Sequence, residues 1–110
     1  MWPKRFCDVM PEVRISVTAA EQARQLDDWW SANRPLAPAL FARELTNAVA
    51  LLSVAPGAGA RFQRSSTPGV RRIVLQKTRN LVFYTYSKDQ DIVHIIAVWG
   101  SPKGTEPPLP

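Results

Sequence analysis

Residues 69–100 read GVRRIVLQKTRNLVFYTYSKDQDIVHIIAVWG. Three runs rich in Val, Ile, Phe and Tyr, at 70–76, 81–86 and 92–99, are separated by short polar connections. β-Branched and aromatic residues at this density, punctuated by turn residues, predict three consecutive antiparallel strands. Strict alternation divides the first run into Arg71, Ile73, Leu75 against Val70, Arg72, Val74. It divides the second into Leu81, Phe83, Thr85 against Val82, Tyr84, Tyr86. The third splits into Ile92, His94, Ile96, Val98 against Val93, Ile95, Ala97, Trp99. Neither side is polar, whereas an antiparallel sheet covered on one face normally presents polar side chains on the other. Both faces of this meander therefore call for a cover.

One cover is written upstream. In EVRISVT, residues 12–18, Val13, Ile15 and Val17 alternate with Arg14 and Ser16, the pattern of a strand with one buried face. Thr18 and Glu21 have the spacing of a capping box and predict a helix running to about Asn33. Ala23, Leu26 and Trp30 form its apolar stripe, with Trp29 at the edge and Arg24, Asp27, Asp28 and Ser31 outward. Pro35 disfavours helical geometry at Arg34 and ends the segment. Pro38 suits the first turn of a second helix, whose stripe is Phe41, Leu45, Ala48, Val49 and Leu52, widened by Leu40 and Leu51. Pro56-Gly57 closes it. The order β-α-α-β-β-β predicts an α+β fold: an antiparallel sheet with an N-terminal helical hairpin packed on one face. The other face is left to the Pro-rich tail, to the leader or to another chain.

Length supports one domain, at residues 10–104. Residues 1–9 read as a leader, with Met10 as an alternative first residue, and 105–110 as a Pro-rich tail. The Gly-, Pro- and Ser-rich stretch 55–69 reads as a connector with a short extended piece at 61–64. A hydrophobic fraction of 45% with four Trp excludes a disordered chain. No apolar run approaches the roughly 20 residues of a membrane span. The single cysteine, Cys7, rules out an internal disulfide, and a cytoplasmic protein is the expectation.

Net charge is +5 and is unevenly placed. Residues 1–60 hold six basic and six acidic side chains, and residues 61–110 hold eight basic and three acidic ones. The excess travels with the meander: Arg61, Arg64, Arg71, Arg72, Lys77, Arg79, Lys88 and Lys103. The asymmetry suggests either an anionic partner (nucleic acid, a nucleoprotein or an acidic protein) or an ordinary solvated basic surface. Tyr84 and Tyr86 share a strand face and offer rings for base stacking beside Arg72, although such tyrosines are more often half-buried sheet residues. His94, the only histidine, lies mid-strand, away from the strand end where a general base is expected. One Cys and one His do not make a zinc site, and no cofactor is expected. Gly57 and Gly59 are followed by no Gly-Lys-Ser/Thr, which excludes a phosphate loop.

In the order and spacing of its elements the chain resembles the RelE/ParE superfamily, the toxins of bacterial type II toxin–antitoxin pairs. The features that carry the resemblance are the first strand VRISVT, the helical hairpin, the Gly-rich loop, the strand opening Val70-Arg71-Arg72, the strand ending Phe83-Tyr84-Thr85-Tyr86 and the last strand at 92–99. They cover about residues 12–104. The resemblance implies a small basic toxin neutralised by a cognate antitoxin that wraps it. RelE-like members cut mRNA on the ribosome, holding phosphate with Arg and Lys and using Tyr, or a His–Tyr pair, near the end of the last strand. Here that end reads Val98-Trp99-Gly100-Ser101-Pro102-Lys103, without Tyr or His. ParE-like members lack such a catalytic set and act on DNA gyrase, and the resemblance is nearer to them. The residues expected to meet target or antitoxin are Arg61, Arg64, Arg71, Arg72, Lys77, Arg79, Tyr84, Tyr86, Trp99 and Lys103, with none assigned to catalysis. A ribosome-dependent endoribonuclease, with the ribosome as partner, and a non-toxic antitoxin-binding module stay open as alternatives.

Overall fold

The computed structural model describes residues 11–62 and 67–100. The expected leader at 1–9, the tail at 105–110, and Arg64 and Lys103 lie outside the described residues. The elements run β1 (Glu12–Ile15), α1 (Val17–Asn33), α2 (Leu40–Val54), β2 (Ala60–Arg61), β3 (Arg71–Leu75), β4 (Asn80–Ser87) and β5 (Ile92–Gly100). They build a five-stranded sheet in the order β1-β5-β4-β3-β2. The α+β class and the three-stranded meander hold. The sheet is mixed, however, because β1 lies parallel to β5, with Val13 opposite Val93 and Ile15 opposite Ile95. A fifth strand, β2, pairs antiparallel with β3.

The first strand is shorter than its alternation suggests. Ser16 donates its amide to Ile95 O, extending the parallel ladder, and its hydroxyl accepts the Ala19 amide as the N-cap of α1. Ser16, not Thr18, therefore starts the helix. Val17 is turned out at 88% exposure, and Ile15 is exposed too. Glu21 does not reach back to the helix start; it pairs with Arg24 and accepts from Gln25 along the helix surface. The stripes of both helices meet the sheet as expected. Ala19, Phe41, Ala48 and Leu52 are buried against Leu75, Val82, Tyr84, Val93, Ile95 and Val98, with Ala23, Leu26, Trp30, Leu45 and Val49 packed around them. Each large side chain fully buried in such a core contributes roughly 1.5–3 kcal/mol.

The buried core draws on both of the sides predicted for β5. Phe83 pairs with Ala97 but Tyr84 pairs with Ile95, so Ile96 is an extra residue opposite the β4 ladder. This β-bulge flips the alternation. Before it, Val93 and Ile95 face the helices; after it, Val98 faces them and Ala97 and Trp99 turn to the other side. The division of 92–99 into two fixed sides is corrected accordingly. The outer face holds a second cluster in which Phe62, Val70, Phe83 and Ala97 are buried, flanked by Leu81, Ile96 and Trp99. Phe62 meets Phe83 edge-on at 4.9 Å between ring centroids. The connector after α2 thus supplies part of the outer cover, a contribution unseen in the sequence.

Candidate functional site

β3 divides the basic residues by face and by end. Arg71 points to the helix side at one end of the strand, where its guanidinium donates to Gly59 O at 2.7 Å and Gly57 O at 3.4 Å. Arg61 is its cross-strand neighbour on β2 and is exposed. Arg72 takes the outer face and stands 5.7 Å over the ring of Phe62, a cation–π geometry. Lys77 and Arg79 sit in the β3–β4 turn at the far end, one strand length from Arg71, about 13 Å for five residues at roughly 3.3 Å per step. The candidate cations are therefore not one clamp but two groups on two ends and two faces.

The tyrosines belong to the core. Tyr84 lies opposite Arg71, not beside Arg72, and is fully buried. Its hydroxyl donates to Pro56 O and accepts the Gly59 amide, both at 2.8 Å. Burial pushes its phenol up from the ordinary value, against the opposing pull of the Gly59 hydrogen bond and of Arg71. Tyr86, on the same face and half-buried, donates to the Asp91 carboxylate, which raises its phenol as well. Stacking of bases on these rings beside Arg72 is ruled out by this geometry, since Tyr84 has no exposed surface and both rings lie on the face opposite Arg72. His94 sits mid-sheet between Arg14 on β1 and Thr85 on β4.

The β3–β4 turn is built around an acidic residue that sequence reasoning passed over. Glu44 on α2 receives Lys77 N at 2.7 Å, Thr78 N at 2.9 Å and Thr78 Oγ1 at 2.7 Å. Burial disfavours its charge, but the hydrogen bonds from Lys77 and Thr78 outweigh this and hold the carboxyl below its ordinary value. The turn also requires Arg79 in the left-handed region at φ 63°. Glu44 thereby ties the turn that carries Lys77 and Arg79 to α2.

Those two cations form one wall of a cleft of about 550 Å³ whose opposite wall is the C-terminal part of α1, with Leu26, Trp29, Trp30 and Arg34. Arg34 lies 5.7 Å over the Trp30 ring, and Trp30 Nε1 donates to Ala37 O, which holds the helix–helix connection in place. Trp29 and Trp30 are 6.0 Å apart and tilted. A smaller adjoining cleft of about 210 Å³ is lined by Gln22, Gln25 and the end of β5, Trp99 included. Gln22 Oε1 accepts the Val98 amide there, at the part of β5 that extends past β1. Trp29, Arg34, Asn80 and Glu44 were not legible as site residues. They come from segments far apart in sequence, and only the tertiary fold brings them together. Among the described residues no three His, Cys, Asp or Glu side chains are grouped to hold a metal ion, and no helix is long and apolar enough to cross a membrane.

A family model described as the ParE toxin of type II toxin–antitoxin system, parDE, matches residues 13–101. The fold is similar to that of the chromosomal ParDE toxin–antitoxin system from P. aeruginosa, with a TM-score of 0.66 at 18% identity over 83% of this chain and 96% of that one. It is similar as well to a mutant of the E. coli toxin RelE in the free state, with a TM-score of 0.61 at 15% identity over 86% of each chain. No curated protein matches the chain.

Proposed function

The chain belongs to the ParE toxin family of type II toxin–antitoxin systems, and on that premise we propose that it inhibits growth by acting on DNA gyrase in the cytoplasm and is silenced by a cognate antitoxin. The observation that carries the proposal is the family match itself, which spans residues 13–101 and so both helices and every strand but for Glu12 at the start of β1. Three further features support it. The charge excess sits with the meander, as an acidic antitoxin segment would require. Arg72 on the outer face, and Lys77 and Arg79 at the β3–β4 turn, have no ion-pair partner among the described residues. Arg71, Arg72 and Arg79, the three arginines of the meander, are separated by face and by end of the sheet, which weighs against in-line cleavage of mRNA by that set, where several cations must converge on one phosphate.

Inducible expression of the chain in bacteria tests this. Growth should stop without antitoxin and resume when the antitoxin is co-expressed. Transcript ends should stay intact while DNA damage or loss of supercoiling appears. Cleaved messages during the arrest would move the protein to the ribosome-dependent endoribonuclease reading. Normal growth together with tight antitoxin binding would leave it a non-toxic binding module.

A further inference from the structure

We propose that the cleft between the C-terminal part of α1 and the β3–β4 turn binds a nucleotide, with the base against Trp29, its edge at Asn80 and its phosphates at Arg34, Lys77 and Arg79. This goes beyond the toxin reading and does not depend on gyrase being the target.

Three observations carry it. The first is the apolar wall. Trp29 keeps 51% of its surface exposed beside Leu26, so a planar indole is presented to the cleft. Trp30 is already covered by Arg34, which leaves Trp29 as the stacking platform. The second is charge. Arg34, Lys77 and Arg79 approach from both sides of the cleft, and no carboxylate lines it among the described residues. Glu44, the carboxylate at the β3–β4 turn, is taken up by the turn amides and Thr78 Oγ1, and its charge also acts on Lys77 without a salt bridge. None of the three cations has an ion-pair partner among the described residues.

The third is Asn80. It lines the cleft at 5% exposure, and its carboxamide makes no hydrogen bond among the described residues. Buried amides of this kind are normally partnered, and no fully sealed side-chain oxygen or nitrogen is left unpartnered among the described residues. The carboxamide therefore keeps access to the cleft. An Asn side chain offers a donor beside an acceptor, the pattern that the edge of a base matches. An aromatic face, a carboxamide and three convergent cations ask for a ligand that is planar, polar at one edge and anionic at its tail. The volume of about 550 Å³ lies in the range of small-ligand sites. An acidic peptide would use the cations, but one nucleotide uses all three features in a single cleft.

The nucleotide has two possible sources, a nucleoside phosphate in solution or one unit of a single strand. Heteronuclear NMR of the full chain titrated with ATP, GTP, a short single-stranded oligoribonucleotide, sodium triphosphate and an acidic Glu/Leu peptide separates them. The expected result is a shift of the Trp29 indole N–H and the Asn80 carboxamide with ATP or GTP. Trp29→Ala and Arg79→Glu, both on exposed side chains, should each weaken binding by roughly tenfold without lowering Tm. Binding of the oligoribonucleotide more than about tenfold tighter than ATP supports the strand as source, and equal binding supports the free nucleotide. The proposal is overturned if triphosphate alone gives the same shifts and affinity, or if the peptide moves these signals and nucleotides do not. It is overturned as well by the absence of any shift at about 5 mM nucleotide, beyond weak millimolar affinity.

Discussion

The buried hydroxyl of Tyr84 and the amide of Gly59 form a 2.8 Å hydrogen bond that ties the loop after α2 to the middle of the sheet. The same hydroxyl donates to Pro56 O, so one oxygen closes both ends of the turn. Gly59 is required by space: a Cβ would stand 2.7 Å from Arg72 O and from the Tyr84 hydroxyl. Tyr84→Phe keeps the ring but strands two backbone groups, and should lower stability by about 1–3 kcal/mol. Gly59→Ala should lower it further, because backbone as well as side chain must move. Urea unfolding of the two variants checks the order.

Glu44 gives the protein an acid-sensitive joint. Its carboxyl is held below the ordinary value of 4.5 in the folded state by Lys77 and Thr78. A depressed folded value means the contribution is complete at neutral pH and is lost as pH falls through and below 4.5. Stability measured from neutral to acidic pH should fall in that window, and Glu44→Gln should flatten part of the slope. Glu44→Ala should lower stability at neutral pH by roughly 1.5–3 kcal/mol, as expected for hydrogen bonds to a charged group.

Val98 lies where β5 extends past the end of β1, and its amide donates to Gln22 Oε1. Gln22→Ala should speed hydrogen exchange at Val98 while the amides of Val93 and Ile95, inside the parallel ladder, keep their protection. Equal loss at all three would mean that the helix as a whole had loosened.

Arg71 and Arg72 are neighbours in sequence with different tasks. Arg71 holds the carbonyls of Gly57 and Gly59, and Arg72 stands over Phe62 on the outer face. Arg72→Glu should weaken the antitoxin complex by roughly tenfold with little change in Tm. Arg71→Glu should lower Tm as well, because it releases the loop. Calorimetry on the purified pair separates the two, and unchanged affinity for Arg72→Glu would put the antitoxin interface elsewhere.

Much of the fold was legible because β-branched runs and 3.6-residue stripes are local signals. The helix faces of Ala23, Leu26, Trp30, Phe41 and Leu52 follow directly from them. What failed was set by partners distant in sequence. Ser16 replaced Thr18 as the cap because the parallel ladder to β5 ends at Ile15 and leaves Ser16 at the helix start. The Ile96 bulge was invisible because residues 92–99 are apolar on both sides except for His94, which precedes the slip, so no change of polarity marked it. For the same reason the alternation does not say which face the helices take, and Tyr84, expected to be half-buried with a ring open to stacking, is fully buried. In the candidate site, the basic residues were named but their separation by face and end was not, and the Trp29–Asn80 cleft exists only after folding.

The most direct test of the gyrase assignment is a supercoiling assay with purified gyrase and the purified full chain. Inhibited supercoiling, with accumulation of cleaved DNA–gyrase complexes that disappear when antitoxin is added, is the expected result. Full supercoiling activity at excess toxin, from a preparation that still arrests growth on induction, would contradict it.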